Sequence, residues 1–126
     1  MSGAVHEGAD VLAAATGKRI AALALVNDAL RFTFDDGAAI SVRDDAQDCC
    51  EHRYMTCDDD LSAYVGATLL GLALRGVEAR DNEYGDAHDV QFLEVQTSAG
   101  QFTAETHNEH NGYYGGFSIL VEEVSP

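Results

Sequence analysis

The chain has 126 residues, with 22 Asp and Glu against 7 Lys and Arg and a formal net charge of -15. That length fits one domain, taken as residues 1–126, and 46% hydrophobic residues exclude a disordered chain. No apolar run is long enough to span a membrane, and so acidic a surface repels phosphate backbones, which argues against direct nucleic-acid contact.

The opening stretch, MSGAVHEGAD, has no basic start followed by an apolar block. No secretory signal is read there, and the expected location is cytoplasmic. Val11, Leu12 and Ala15 share one face of a short helix that Gly17 ends. The period then changes to two. Residues 19–26 and 30–34 read as strands joined at Asn27-Asp28. Leu30, Phe32 and Phe34 share a strand face, and so do Ile40 and Val42. A three-residue loop, Asp36 to Ala38, sets Phe34 opposite Ile40 and Phe32 opposite Val42, with Gly37 or Ala38 in a bulge-like conformation.

The stretch RDDAQDCCEHRYMTCDDD is polar and irregular. Its closing acids suit the start of a short helix over 59–65, stopped by Gly66, with Leu61, Tyr64 and Val65 inward. ATLLGLALRGVEAR reads as a strand, bulged at Gly71, and DNEYGDAHD as a loop. Strands follow on both sides of Ser98-Ala99-Gly100. In the last strand Phe117, Ile119 and Val121 face inward. Asn111-Gly112 is a strong two-residue hairpin signal. Folding there sets Asn108 opposite Gly115, Thr106 opposite Phe117, Ala104 opposite Ile119 and Phe102 opposite Val121. That face is apolar at its base and polar at its tip. The other face, with Glu105, His107, Glu109 and Tyr114, suits water. The fold expected is mainly β (α+β): an antiparallel β meander, sandwich- or partial-barrel-like, with one or two short helices.

Turn chemistry alone explains Asn and Gly at the hairpin. It does not explain THNEHNGYYGGF as a whole. Gly115 and Gly116 open a notch beside Tyr113 or Tyr114, and a tyrosine ring with its hydroxyl suits a flat polar ligand. Arg53 offers a fixed guanidinium for an anion or carboxylate. The candidate ligand-binding residues are Arg53, Tyr54, His107, Asn108, Glu109, His110, Tyr113 and Tyr114. Cys50, His52, His107 and His110 are donor types that suit zinc, although His107 and His110, three apart, face opposite sides of a regular strand. The plainer reading makes the hairpin a solvated turn and CCEHRY a strand with a buried Cys. The three Cys, at 49, 50 and 57, form no disulfide framework and read as reduced thiols.

Three functions fit these residues. The first is a small non-enzymatic binding protein that holds a polar ligand or a metal where the 107–114 bend meets the 49–54 segment. The second is an acidic protein-binding inhibitor or a nucleic-acid mimic. The third is a small hydrolase using a metal or a Cys. The expected state is a monomer or a homodimer, the last strand being a candidate dimer edge.

CCEHRYMTCDDDL, GATL, VQFLEVQTSAG and THNEHNGYYGGFSI together resemble a family of short proteins of unknown function encoded by phages and bacteria. The resemblance spans about 17–121. It implies a small single domain and raises a role in host–phage conflict, such as capturing a small signalling molecule or blocking a host protein, and it supplies no catalytic or binding residue.

Overall fold

The computed structural model describes residues 7–45, 52–81, 87–110 and 117–124, with the backbone alone at 78–81, Ala87 and His110. Within them lie a helix α1 (Ala9–Ala15), a 3-10 turn (Leu61–Tyr64) and eight strands. The strands are β1 (Ile20–Val26), β2 (Ala29–Phe34), β3 (Ala39–Asp44), β4 (His52–Thr56), β5 (Leu69–Asp81), β6 (Ala87–Thr97), β7 (Gly100–His110) and β8 (Ile119–Val124). They form two antiparallel sheets, ordered β1-β2-β3-β8 and β4-β7-β6-β5.

Local chemistry builds the hairpins. Asn27 and Asp28 both take positive φ, 51° and 61°, which is the two-residue turn whose twist matches its strands. The next hairpin corrects the sequence register by two residues. Phe32 faces Ile40 and Leu30 faces Val42. The loop is Asp35 to Gly37, closed by the Phe34 N–H donating to the Ala38 carbonyl at 2.8 Å. Gly37 takes the positive φ of 88° that the loop needs, and the Asp36 carboxylate accepts from the Ala38 N–H at 3.0 Å. A shift of two preserves face parity, so the apolar pattern alone cannot detect it.

The expected 59–65 helix is a shorter 3-10 turn. Asp60 caps it by accepting from the Ser62 N–H at 3.1 Å, while Asp59 accepts from the Thr103 N–H on β7. Leu61 and Tyr64 pack on the core, but Val65 is 46% exposed. Bulges fall at 70 and 76 in β5, beside the expected Gly71. His88 and Asp89, expected in a loop, belong to β6.

The largest correction concerns the C-terminal hairpin. β7 pairs with β4 and β6, and β8 pairs with β3 in the other sheet. Val121 therefore faces Val42 and Ile119 faces Asp44, not Phe102 and Ala104. The turn at 111–116 lies outside the described residues. β8 is an edge strand, but its outer side takes up Glu7: the Glu7 N–H donates to Ile119 and its carbonyl accepts from Val121. The chain then passes over β8 so closely that a Cβ on Gly8 would lie 1.9 Å from the Val121 carbonyl oxygen.

One core serves both sheets, with Leu30, Phe32, Val42 and Ile119 from the first against Leu69, Leu93, Val95 and Phe102 from the second. Full burial of each such side chain contributes about 1.5–3 kcal/mol. The sheets are joined at one corner, where Lys18 to Ile20 exchange backbone bonds with Gly66 to Leu69.

Candidate functional site

The inward positions of four strands change character at the same level. On β7 they run Phe102, Ala104, then Thr106, Asn108. On β6 they run Val95, Leu93, then Gln91, Asp89, cross-paired with the β7 residues. On β3 they run Ile40, Val42, then Asp44. On β4 Met55 gives way to Arg53. One end of the interior is thus apolar and the other polar.

The polar end is organised around a buried ion pair. Arg53 Nη1 donates to Asp44 Oδ2 at 2.6 Å, with side chains only 5% and 4% exposed. Asp44 Oδ1 also accepts from the Ser118 N–H at 3.0 Å, and the guanidinium lies 5.9 Å from the Phe117 ring. Taking both charges out of water is costly, and the pair holds because each has its partner. Beside it, a cleft of about 190 Å³ is lined by Asn27, Asp28, Arg43, Asp44, Arg53, Tyr54 and Thr106. The Thr106 hydroxyl is buried without a hydrogen-bond partner, and so is Oε1 of Gln91, its cross-strand neighbour. A buried polar atom left so costs about 1–3 kcal/mol.

The opposite face of the same strands carries a row of rings. Tyr54 stacks on His107 at 4.5 Å with planes 5° apart, and His52 lies 4.9 Å from Tyr54. His107 is buried, and both its nitrogens are engaged. Nε2 is 2.8 Å from the Thr56 hydroxyl, and Nδ1 is 2.9 Å from Nε2 of His88. In the His88–His107 contact one nitrogen carries the proton and the other the lone pair. Glu105 lies 3.7 Å from His107, and Glu109 lies 3.8 Å from His52.

A family model described as "Domain of unknown function (DUF7448)" matches residues 13–120. The chain belongs to that family. No curated protein and no solved structure is found to match it.

In this DUF7448 chain the two segments singled out from sequence are adjacent strands: Arg53 faces Asn108, Tyr54 faces His107 and His52 faces Glu109. The pleat then divides them. Arg53 and Asn108 point into the interior, and Tyr54, His107 and Glu109 belong to the other face. His107, expected in water, is only 6% exposed. Tyr113, Tyr114 and Cys50 lie outside the described residues, as does the side chain of His110. The zinc set is therefore described only at His52 and His107, and both ring nitrogens of His107 are already hydrogen-bonded. Among the described residues no group of three or more His, Cys, Asp or Glu is placed to hold a metal. Burial, then the charges of Asp59, Asp58 and Glu105, push the Cys57 thiol up, the opposite direction from the activation a nucleophile needs.

Sequence reasoning missed Asp44, Thr106 and Gln91 as site residues and read Asn27-Asp28 only as a turn. A signal for Thr106 was present, in the change from apolar to polar along one face of β7. Asp44 gave no local signal, because its partner comes from β4.

Proposed function

We propose that this chain is a non-enzymatic binding module that takes a small polar ligand, rich in hydroxyl or amide groups, in the cleft at the polar end of its interior. One observation carries this reading: the buried Thr106 hydroxyl, without a partner, in the wall of that cleft. A ligand donor or acceptor there removes the cost of the unmade bond. Asn27, Asp28 and Asp44 add amide and carboxylate groups that suit hydroxyl recognition. The resemblance to phage- and bacteria-encoded chains supports a role in capturing a small molecule during host–phage conflict, with the cytoplasm as its setting.

The test is chemical-shift mapping of the ¹⁵N-labelled chain with a panel of neutral sugars, polyols and amides. Expected perturbations centre on the amides of Asn27, Asp44 and Thr106, and Thr106→Val weakens the binding about tenfold, the worth of one hydrogen bond. A map centred elsewhere, or no perturbation by any panel member, overturns the proposal.

A further inference from the structure

A second hollow, of about 340 Å³, lies on the outer side of the β1–β2–β3–β8 sheet. It shares Asn27 and Arg43 with the interior cleft. The two hollows are therefore adjacent, with Arg43 lining both, and together they are called the groove. The lining is unusual for this chain. Arg31, Arg43 and Arg53 are three of only seven Lys and Arg in a molecule of net charge -15.

Arg43 is the cation equipped to change partners. Its Nε donates to Glu122 and its Nη1 to Asp45, each at 3.0 Å. A guanidinium has five N–H donors in a planar fork, so these bonds use two of them. Both carboxylate partners are well exposed, at 39% and 43%. Ion pairs so open to water are screened and weak. Arg53 differs: its pair with Asp44 is buried and costly to separate. A ligand bearing an anion therefore finds in Arg43 a guanidinium that can turn to it without loss of a buried contact.

We propose that the ligand of this groove is a polyhydroxylated molecule carrying a phosphate or carboxylate, with its hydroxylated head in the interior cleft and its anion on Arg43. The proposal rests on the cleft reading above and adds the charge of the ligand. A fork-shaped donor matches either anion in two-point contact. The acidic surface repels every anion alike, so the contacts of the head in the cleft must offset that repulsion.

The experiment titrates the full chain with glucose, glucose 6-phosphate and glucuronate, read by ¹⁵N shift mapping. The expected result is that at least one of the two charged sugars binds at least tenfold more tightly than glucose. It shifts the amides of Ala29, Ser41 and Arg43 as well as Thr106. Arg43→Met removes most of the difference in affinity between that charged sugar and glucose. Arg43→Lys, which keeps the charge and loses the fork, recovers part of the difference. The two charged arms separate phosphate from carboxylate. Equal affinity for all three sugars overturns this proposal and leaves the cleft reading intact. Failure of every sugar to move a groove amide also overturns it, and the neutral panel with Thr106→Val then judges the cleft by itself.

Discussion

Near the Ser98–Ala99 turn the interior is closed by Phe102, Val95, Leu69 and Ile20, all essentially inaccessible. Tyr64 lies against the Phe102 ring at 4.6 Å. At the other end, strands of the same two sheets point Asp44, Arg53, Thr106 and Asn108 inward. The first end is finished by packing: every side chain there finds apolar neighbours, and stability is the outcome. The second end is finished by charge pairing and still leaves buried oxygens, those of Thr106 and Gln91 among them, without partners. A chain able to place Val and Leu on these strands had an apolar alternative at that end. The difference teaches where to look for function, because polar groups placed at a cost to stability need a use outside folding.

Substitutions break the comparison most sharply at its extremes. Phe102→Ala empties the centre of the apolar end and is expected to cost about 3–5 kcal/mol in equilibrium unfolding, with binding at the cleft unchanged in the folded fraction. Arg53→Met strands Asp44 as a buried charge and is expected to cost about 3–5 kcal/mol as well. Here the two ends part: Arg53→Met combined with Asp44→Leu recovers most of the loss, whereas no second change at the polar end rescues Phe102→Ala.

What was legible in the sequence follows the same division. Asn27-Asp28 announces its turn, and the alternation through Leu30, Phe32, Ile40 and Val42 gives strands with the correct inward faces, since both signals are local. The change from apolar to polar along β7 was also visible. The partners were not. Asn111-Gly112 suggests that β7 and β8 pair, but β8 buries Ile119 and Val121 equally well beside β3, and only the whole fold decides between them. His107 looked like a water-facing residue because its cover, Tyr54 from β4 and His88 from β6, comes from distant segments. The Arg53–Asp44 pair is illegible for the same reason.

Smaller effects sharpen the picture at single groups. Cys57 donates to the Thr103 carbonyl at 3.4 Å, and burial pushes its thiol above the ordinary 9.0. Its folded value is raised, so its contribution to stability is present below pH 9.0 and is lost as pH rises further. In a Cys49→Ser, Cys50→Ser background, iodoacetamide at pH 8 is expected to modify Cys57 several-fold more slowly in folded than in urea-unfolded protein. The carboxyls of Asp36 and Asp60 move the other way. The Lys18 ammonium lowers Asp36, and the Ser62 hydroxyl lowers Asp60, both from an ordinary 3.8. Their contributions are present above that value and fade as pH falls through their lowered folded values. Asp36→Asn with Asp60→Asn is expected to flatten the acid limb of the stability profile slightly.

The most direct test of the central claim is the unfolding free energy of Thr106→Val, a change of one buried hydroxyl for a methyl. If that oxygen is present for a ligand and contributes nothing to the fold, the variant is as stable as the parent or more stable by about 1 kcal/mol. A loss of about 2 kcal/mol or more contradicts the account, since it means that the hydroxyl is bonded within the protein and the polar end is a packing solution after all.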